Sequence, residues 1–249
     1  MPEYDPAAYG EAWSRDYDRL FESRDDPAAI ISALSGLTTG RSVLELGIGT
    51  GRLAVPLHDA GWRVAGVEAS PAMVEGLRKR AGDRPIDVVT GDIREFTIED
   101  RFDVVLIAFS TLFLLPDQRS QVACLARAVA HLADGGLLVV EAFVADHTRW
   151  SEGKRLALSR WTADGIEIEA ARHDRANQTI EVRYLGLGSG GMTVRPLSLR
   201  YAWPAEIDLM AELAGARPRA RWGDWSGSPY DAASAGHVSI YTLDQPAGP

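Results

Sequence analysis

The sequence predicts an α/β protein in which a doubly wound sheet carries helices on both faces. Three observations lead to this fold class. Short aliphatic and β-branched runs alternate with helical segments over residues 42–143, a pattern typical of parallel strands joined by helices. The first of these runs leads directly into a glycine-rich loop. Beyond residue 150 the runs follow one another without helices between them, which indicates an antiparallel β insertion.

The first half of the chain supplies the parallel part of the predicted sheet. Aromatic residues such as Trp13 and Tyr17 recur at helical spacing within residues 9–34, which predicts an N-terminal helix or a pair of helices. Ser70 before one helical stretch and Gly61 after another are typical of helix boundaries. Strands are predicted at residues 42–46, 63–67, 86–90, 104–109 and 137–143, with helices between them at 52–60, 71–81 and 117–132.

The second half of the chain adds the insertion and completes the sheet. Turn-forming residues at Asn177 and at 188–191 separate strands of the insertion, and Pro204 opens a helix that Gly215 ends. The insertion strands are predicted at 165–173, 179–187 and 193–203, the helix at 205–214, and two last strands at 217–222 and 237–243.

These elements predict a single domain with a sheet of seven strands. We expect its parts to be an N-terminal helical lid at residues 1–36, a cofactor-binding core at 37–150, the antiparallel insertion at 151–203, and a final helix and two strands at 204–244. The insertion is expected to form one wall of an acceptor site or a contact in a homodimer.

Composition excludes several classes of function. The chain has 249 residues, with 26 Lys and Arg against 35 Asp and Glu, and its net charge of −9 has the wrong sign for a surface that grips nucleic acid phosphates. The single cysteine, Cys124, permits no disulfide within the chain, and the five histidines lack metal-site spacing, so no metal is expected. The acidic N-terminus does not resemble an export signal, and the most apolar stretch, 104–115, is too short to span a bilayer, so we expect a cytoplasmic protein without membrane association.

The most informative segment is the glycine-rich loop at residues 43–52. A hydrophobic strand runs into Gly47, Gly49 and Gly51, whose lack of side chains lets the backbone turn sharply and lets a ligand lie against it. The pattern is G-x-G-x-G, not the dinucleotide pattern G-x-G-x-x-G, and Glu45 stands where the strand meets the loop. A carboxylate there suits a cation or an ammonium group better than a pyrophosphate.

Two further acids follow later strands of the predicted sheet. Glu68 lies 21 residues after Gly47, the spacing of an acid that accepts hydrogen bonds from ribose hydroxyls. Asp92 can accept a bond from an exocyclic amine, while Ile93 packs on a flat ring. Proteins that bind NAD carry an acid at the first of these positions too, but together the three acids indicate a nucleoside with cationic character in a Rossmann-like fold.

These residues resemble the class I S-adenosylmethionine-dependent methyltransferases over most of the chain. The resemblance rests on the E-L-G-x-G-x-G loop, the segment from Glu68 through Met73, Gly91-Asp92-Ile93, and the strand that begins at Phe102. It implies that the glycine loop faces the methionine part of S-adenosylmethionine, that Glu68 holds the ribose, that Asp92 meets the adenine amine and that Met73 flanks the adenine. It also implies an antiparallel last strand, S-adenosylhomocysteine as product, and further cofactor contacts at Ala69, Ile93 and Ala108.

The N-terminal segment narrows this resemblance. Tyr17-Asp18-Arg19-Leu20-Phe21 followed by Arg24 is similar to the tyrosine-rich helix of small-molecule N-methyltransferases, which implies that Tyr17 and Arg24 contact the cofactor carboxylate. Phe21 stands where a second tyrosine is common. The segments at 110–113 and 140–144 are similar to natural-product methyltransferases, including those that act on amino sugars or on the α-amine of peptides.

Methyl transfer from a sulfonium needs alignment of donor and acceptor and exclusion of water, and an amine acceptor must also lose a proton. His147 and Glu141, at the end of the fifth strand, are the candidates for a base or an acceptor contact, and Phe109, Phe113 and Trp150 are candidate walls of the acceptor pocket. Each has an alternative interpretation. His147 can be a surface histidine, Glu141 can bind backbone amides, and the three aromatic residues can belong to the core.

The sequence thus predicts methylation of an amine in a natural product or at a peptide N-terminus. Transfer to oxygen or carbon is the nearest alternative. A nicotinamide-dependent oxidoreductase and a protein that binds the cofactor without turnover are the alternatives from other classes.

Overall fold

The computed structural model describes residues 4–21 and 27–243. Its helices are α1 (Ala8–Trp13), α2 (Tyr17–Phe21), α3 (Pro27–Leu37), α4 (Ala54–Asp59), α5 (Pro71–Ala81), α6 (Gln118–Ala130) and α7 (Pro204–Leu213). Its strands are β1 (Ser42–Leu46), β2 (Arg63–Glu68), β3 (Asp87–Thr90), β4 (Phe102–Ile107), β5 (Leu132–Phe143), β6 (Lys154–Thr162), β7 (Gly165–Asp174), β8 (Thr179–Gly188), β9 (Gly191–Arg200), β10 (Ala216–Trp222) and β11 (Gly236–Leu243). Single 3-10 turns lie at Thr111–Leu114 and His147–Arg149.

The central sheet has seven strands in the order β10-β11-β5-β4-β1-β2-β3, which confirms the predicted fold class. The strands from β1 to β5 pair in parallel, whereas β11 runs antiparallel to both β5 and β10. Because β1 pairs with β2 on one side and β4 on the other, the chain reverses its winding direction at β1. Ligands of doubly wound sheets bind at such a switch point, beyond the carboxyl ends of the strands.

The core lies on both faces of this sheet. Alternate residues of β1 show the division, since Leu44 and Leu46 pack in one apolar cluster while Val43 packs in the other, and none of the three is exposed. Burial on both faces explains why these strands read as continuous apolar runs. Cys124 lies fully buried in the first cluster, where it acts as a small apolar residue.

The insertion forms a second, antiparallel sheet in the order β6-β7-β8-β9. The sequence predicted three of its strands and missed β6, although Leu156 and Leu158 stand two residues apart there, at the period of a strand. The strand predicted at 193–203 ends three residues earlier, at Arg200, because Trp203 has extended backbone and precedes the helix that Pro204 begins.

The strand before the insertion begins earlier than predicted. The helix predicted to reach residue 132 ends at Ala130, and β5 starts at Leu132, which pairs with Phe102 before the register shifts. Gly136 makes this irregular pairing possible, since a Cβ there would lie 2.8 Å from Ala133 O and 2.9 Å from Phe102 O. Gly135 and Gly136 are typical of a helix end in a sequence, but here they lie inside β5.

The first two helices, called the lid helices here, lie over the carboxyl ends of the strands. Helix α1 packs against α5 and against β9 of the insertion. The Trp13 indole donates from Nε1 to Pro196 O at 3.0 Å, and its ring meets Tyr184 edge to face with centroids 5.1 Å apart. The lid helices therefore connect the parallel core to the insertion. In the described part of the chain, every helix is too short or too polar to cross a bilayer.

Candidate active site

The glycine loop follows β1 and packs against the segments that follow β2 and β4. The backbone φ angles of Gly47, Gly49 and Gly51 are 78°, 56° and 79°, in the left-handed region that side chains disfavour. At Gly47 a Cβ would also lie 2.5 Å from Cγ2 of Thr111. The Gly47 amide donates to Val67 O at 2.8 Å. The loop is thus held between the ends of β2 and β4, with its backbone open to a ligand.

Glu68 lies at the end of β2 and organises the loop through its carboxylate. Its Oε2 accepts from the Gly49 amide at 3.0 Å, and its Oε1 accepts from the Ser70 amide at 2.8 Å. Burial raises the pKa of Glu68, and these amide bonds oppose the rise. Each carboxylate oxygen has a second lone pair, so both can still accept bonds from a ligand.

Glu45 is a buried carboxyl group at the end of β1. The residue is 5% exposed, and its Oε2 has no hydrogen-bond partner among the described residues. Burial raises the pKa of Glu45 to about 8, with Arg52 opposing and Glu68 adding to the rise. A buried carboxyl group that keeps its proton at neutral pH is costly to ionise unless a cation is brought beside it.

Asp92 follows β3 and is paired with Arg94. Its Oδ2 accepts from Nη2 and Nε of Arg94 at 2.6 and 2.9 Å, while its Oδ1 accepts from the Arg94 amide at 2.8 Å. The ring of Tyr4 lies over the guanidinium, with its centroid 4.4 Å away. Oδ1 of Asp92 thus accepts a single hydrogen bond and can accept another from a ligand. Ile93 lies beside Asp92 in the apolar core.

The lid helix α2 is bound to the glycine loop by polar contacts. Asp18 accepts from the Thr50 hydroxyl at 2.5 Å and pairs with Arg80 of α5 at 2.8 Å. Tyr17 is a buried residue of α2 that packs with Met73 and has a side-chain hydrogen bond with Arg52. Its burial raises the pKa of its hydroxyl, which stays protonated. Arg24, predicted to contact the cofactor carboxylate, lies outside the described residues.

The turn after β4 has a strained backbone. Phe109 and Ser110 have φ angles of 57° and 60°, although neither is glycine. The Phe109 amide donates to Oε2 of Glu141 at 2.8 Å, and the Ser110 amide donates to Glu141 O at 3.1 Å. The resulting turn sets the Phe109 ring 4.9 Å below the guanidinium carbon of Arg52 and 5.4 Å from the ring of Phe21.

His147 belongs to a cluster between β5 and the insertion. Its ring stacks on Trp203 with centroids 5.3 Å apart, and its Nε2 lies 3.3 Å from the Tyr201 hydroxyl. That hydroxyl lies 3.0 Å from Nε2 of His173. Burial lowers the pKa of His173, with the neighbouring His147 adding to the effect, so His173 stays neutral at physiological pH. Trp150 packs on His173 with centroids 4.8 Å apart.

The remaining predicted site residues are buried or partly buried. Phe113 is fully buried and packs edge to face on Phe143 at 5.1 Å, which is a core position. Ala108 is 4% exposed at the end of β4, next to Phe109. Ala69 is partly buried between Glu68 and Ser70.

Three residues at the site were missed by sequence reasoning. Arg52 directly follows the third glycine, and Asp18 directly follows Tyr17, so their adjacency to predicted residues was an available signal. Tyr201 offered none, because the residues it joins lie 28 and 54 positions away in the chain.

Comparison with known proteins settles the family. A family model described as a methyltransferase domain matches residues 43–136. The cypemycin N-terminal methyltransferase of a Streptomyces species is 32% identical over 233 residues, which cover 92% of this chain and 95% of that protein. The chain belongs to the S-adenosylmethionine-dependent methyltransferases.

Solved structures agree with this methyltransferase family. The CcbJ methyltransferase from Streptomyces caelestis is 36% identical and superimposes with a TM-score of 0.89, covering 96% of this chain and 99% of that one. The amino pentose methyltransferase CalS10 from Micromonospora echinaspora, 23% identical with a TM-score of 0.70 over 90% of this chain and 95% of that one, shares the fold.

The site of this methyltransferase fits its cofactor chemically. S-adenosylmethionine carries a sulfonium and an ammonium group, and the unpartnered Oε2 of Glu45 is a buried acceptor. The left-handed glycines give a backbone surface free of side chains, and Glu68 retains acceptor capacity beside it. Among the described residues no group of three metal-binding side chains occurs.

Proposed function

We propose that this methyltransferase transfers the methyl group of S-adenosylmethionine to an amine of a natural product or of a peptide N-terminus. One observation carries the proposal. Similarity to the cypemycin N-terminal methyltransferase covers 92% of the chain, far beyond residues 43–136 that the family model matches. It therefore includes parts of the lid or insertion, which are the parts proposed to contact an acceptor. CalS10, named as an amino pentose methyltransferase, shares the fold.

The cofactor is proposed to lie along the carboxyl ends of β1 to β4. Glu68 would accept bonds from the ribose hydroxyls, Asp92 from the adenine amine, and Glu45 would face the cationic end. Tyr17 and Arg24 would hold the carboxylate. The remaining proposed contacts are Gly47, Gly49, Gly51, Ala69, Met73, Ile93 and Ala108.

When bound, S-adenosylmethionine supplies a methyl group on a good leaving group. An amine that accepted this methyl group would have a proton to lose, which a residue of the chain or water would take up. The chain's own tasks are to hold the acceptor in line and to exclude water. The lid helices serve both tasks, since Trp13 and Asp18 bind them to the insertion and to the glycine loop.

Glu141 is proposed to position the acceptor wall. Its carboxylate is directed at the Phe109 amide, so it supports the turn that presents the Phe109 ring. Phe113 and Trp150 stay predicted as further walls, although Phe113 is fully buried against Phe143. The acid is thus proposed to act on the acceptor through Phe109.

His147 is proposed to accept the proton that the amine loses. It is linked through the Tyr201 hydroxyl to His173, and a hydroxyl between two imidazole nitrogens donates to one and accepts from the other. The Tyr201 hydroxyl thereby orients the His147 ring, while His173 at its other side stays neutral. No metal takes part in this proposal.

The test is incubation with methyl-labelled S-adenosylmethionine and sets of small amines, short peptides with free N-termini, phenols and carboxylates, followed by mass spectrometry. Label on nitrogen supports the proposal. Label only on oxygen or carbon overturns the amine acceptor and leaves the family intact. Tight binding of NAD with no response to S-adenosylmethionine in calorimetry would contradict the whole assignment.

Other expectations stay predictions. They are cytoplasmic residence, the lack of a nucleic acid partner, the homodimer, and the division at residues 36, 150 and 203 into lid, core, insertion and closing segment. The net charge of −9 supports one of them, the lack of a nucleic acid partner.

A further inference from the structure

The carboxylates of Asp92 and Glu68 are held in place by different kinds of group. The oxygens of Glu68 accept from two backbone amides, those of Gly49 and Ser70. The carboxylate of Asp92 is instead held by Arg94, which donates from its backbone amide, its Nε and its Nη2. Because two of these donors belong to a side chain, the orientation of Asp92 depends on how firmly the guanidinium of Arg94 is itself held.

The bonds from Arg94 leave the Asp92 carboxylate little freedom. They occupy three of the roughly four positions at which a carboxylate accepts hydrogen bonds. Oδ2 accepts two of them, at 2.6 and 2.9 Å, and Oδ1 accepts one, at 2.8 Å. Asp92 is 8% exposed, so turning the carboxylate away from Arg94 would leave a buried charge without its partner. One acceptor position, on Oδ1, therefore stays available in a fixed direction.

The guanidinium of Arg94 is held from two other parts of the chain. The ring of Tyr4 lies over it, with its centroid 4.4 Å from the guanidinium carbon, which is the geometry of a cation–π contact. Tyr4 is itself partly buried and packs against the apolar cluster that contains Ile93. On another side, Nη1 donates to the Ser120 hydroxyl of α6 at 3.3 Å. The N-terminal segment and α6 thus fix Arg94, and Arg94 fixes Asp92.

We propose that Arg94, held by Tyr4, is a positioning residue that makes the site select a nucleobase with an exocyclic amine. The free acceptor position on Oδ1 of the fixed Asp92 can bind only a donor. The amine of adenine is such a donor, whereas hypoxanthine has an oxo group at the same ring position, which would face the carboxylate oxygen acceptor to acceptor. This inference rests on the proposed contact between Asp92 and the adenine amine, and it does not depend on the methyl acceptor.

A carboxylate that could rotate would select the nucleobase poorly. Hypoxanthine carries an N–H group at N1, next to its oxo group, and a mobile carboxylate can turn to accept from that donor. The fixed Asp92 cannot turn without losing its bonds to Arg94. Sites that bind a ligand donor through a fixed buried group reject analogues without it by factors of about 10⁴ or more in favourable cases. Selection of the nucleobase therefore depends on Arg94 as well as on the acid.

Conservative substitutions separate positioning from charge. An arginine binds a carboxylate through a planar fork of N–H donors, whereas a lysine is a point charge on a flexible stem. Arg94→Lys therefore keeps the positive charge beside Asp92 and removes the fork that fixes its orientation. Tyr4→Phe keeps the ring over the guanidinium, and Tyr4→Ala removes it. The chain also offers a matched control in Arg84, which binds Asp59 through a fork of the same kind, with Nε and Nη2 at 2.6 and 2.9 Å from the carboxylate oxygens.

The experiment is calorimetric titration of the full chain with S-adenosylhomocysteine and with S-inosylhomocysteine, in which an oxo group replaces the adenine amine. The wild-type chain is expected to bind the adenine compound at least about 100-fold more tightly. Arg94→Ala and Arg94→Lys should each lower this ratio to about tenfold or less, because the carboxylate can then turn. Tyr4→Ala should lower it about threefold, the contribution of a partly exposed cation–π contact. Tyr4→Phe and Arg84→Ala should keep the wild-type ratio.

The ratio of the two affinities distinguishes positioning from a structural role, since a variant that is only destabilised weakens both ligands equally. A wild-type chain that binds both compounds equally overturns the proposed contact between Asp92 and the adenine amine, and the inference with it. A selective wild-type chain whose ratio survives in both Arg94 variants overturns the inference alone. A ratio lost in Arg94→Ala but kept in Arg94→Lys also overturns it, because charge then suffices.

Discussion

The backbone amide of Phe109 donates a hydrogen bond to the Glu141 carboxylate, with 2.8 Å between the amide nitrogen and Oε2. Phe109 and Ser110 both have positive φ angles, a conformation that costs on the order of 1–3 kcal/mol for each residue other than glycine. Three hydrogen bonds to β5 offset this cost. Two are the bonds from the Phe109 and Ser110 amides to Glu141, and in the third the Ser110 hydroxyl accepts from the Phe143 amide at 3.1 Å. Glu141 thus stabilises a turn that would otherwise relax and move the Phe109 ring.

The first prediction concerns this acid. Glu141→Ala leaves the Phe109 amide without its acceptor, and a hydrogen bond to a charged group contributes about 1.5–3 kcal/mol, so kcat/KM for the acceptor should fall about 10- to 100-fold. The dissociation constant of S-adenosylmethionine should change little. Steady-state kinetics with varied acceptor and calorimetry with the cofactor measure the two quantities.

The control for Glu141 is Glu141→Gln. The glutamine carbonyl can still accept from the Phe109 amide, so most of the activity and the shape of the pH profile should return. A general base would behave in the opposite way, because an amide cannot take a proton. If Glu141→Gln lost as much activity as Glu141→Ala, Glu141 would be assigned to proton transfer and not to positioning of the Phe109 turn.

The second prediction concerns Glu68. Glu68→Ala removes the acceptor for the Gly49 and Ser70 amides as well as the proposed ribose contact. The affinity for S-adenosylmethionine should fall by about 1.5–3 kcal/mol, which is roughly 10- to 150-fold. Calorimetry measures the loss. Glu75→Ala is the matched control, since Glu75 is an exposed acid on α5 paired only locally with Lys79, at 2.6 Å between Oε1 and Nζ. Unchanged affinity in Glu68→Ala would remove Glu68 from the site.

The parallel core could be predicted from the sequence because local signals and tertiary structure agree there. The strand of residues 42–46 was predicted with its observed bounds, since apolar runs of this kind are buried on both faces. The helix Pro71–Ala81 was predicted as well, because the Ser70 hydroxyl accepts from the Met73 amide as a helix cap. Strand β6 was missed because its register irregularity near Arg160 breaks the alternation that marks a strand.

The candidate site could be predicted only for residues at the carboxyl ends of successive parallel strands. Glu45 and Glu68 lie at the carboxyl ends of β1 and β2, and Asp92 follows β3. The topology alone gathers these ends of parallel strands at one edge of the sheet. The contact between Phe109 and Glu141 is different, because it depends on a strained turn that no residue type in the sequence announces. The link from His147 to Tyr201 joins segments 54 residues apart, a separation that single-sequence patterns do not encode.

The third prediction concerns Glu45 and pH. The folded-state pKa is about 8 against an ordinary value of 4.5, so between these values the folded chain keeps a proton that the unfolded chain releases. The contribution of Glu45 to stability is therefore greatest below pH 4.5 and is lost as the pH rises towards 8. Since one pKa unit corresponds to about 1.4 kcal/mol, the loss should reach a few kcal/mol.

Glu45→Gln stays neutral and removes this dependence. Urea unfolding of both proteins at pH 5, 6.5 and 8 should show the variant gaining stability relative to the wild-type chain as the pH rises. A difference in unfolding free energy that is constant over this range contradicts the prediction. Since a cation beside Glu45 favours its ionised form, wild-type affinity for S-adenosylmethionine should also rise with pH, and that of Glu45→Gln should not.

The fourth prediction concerns His147. If this imidazole accepts the amine proton, His147→Ala should lower kcat/KM about 100-fold or more, the usual contribution of a general base. Imidazole added to the buffer should restore part of the lost rate, which a structural role would not allow. His173→Asn is the matched control, because His173 shares the Tyr201 hydroxyl at 3.0 Å but stays neutral in the folded chain; its rate should stay within about threefold of wild type. An imidazole-insensitive His147→Ala would assign His147 to packing against Trp203 instead.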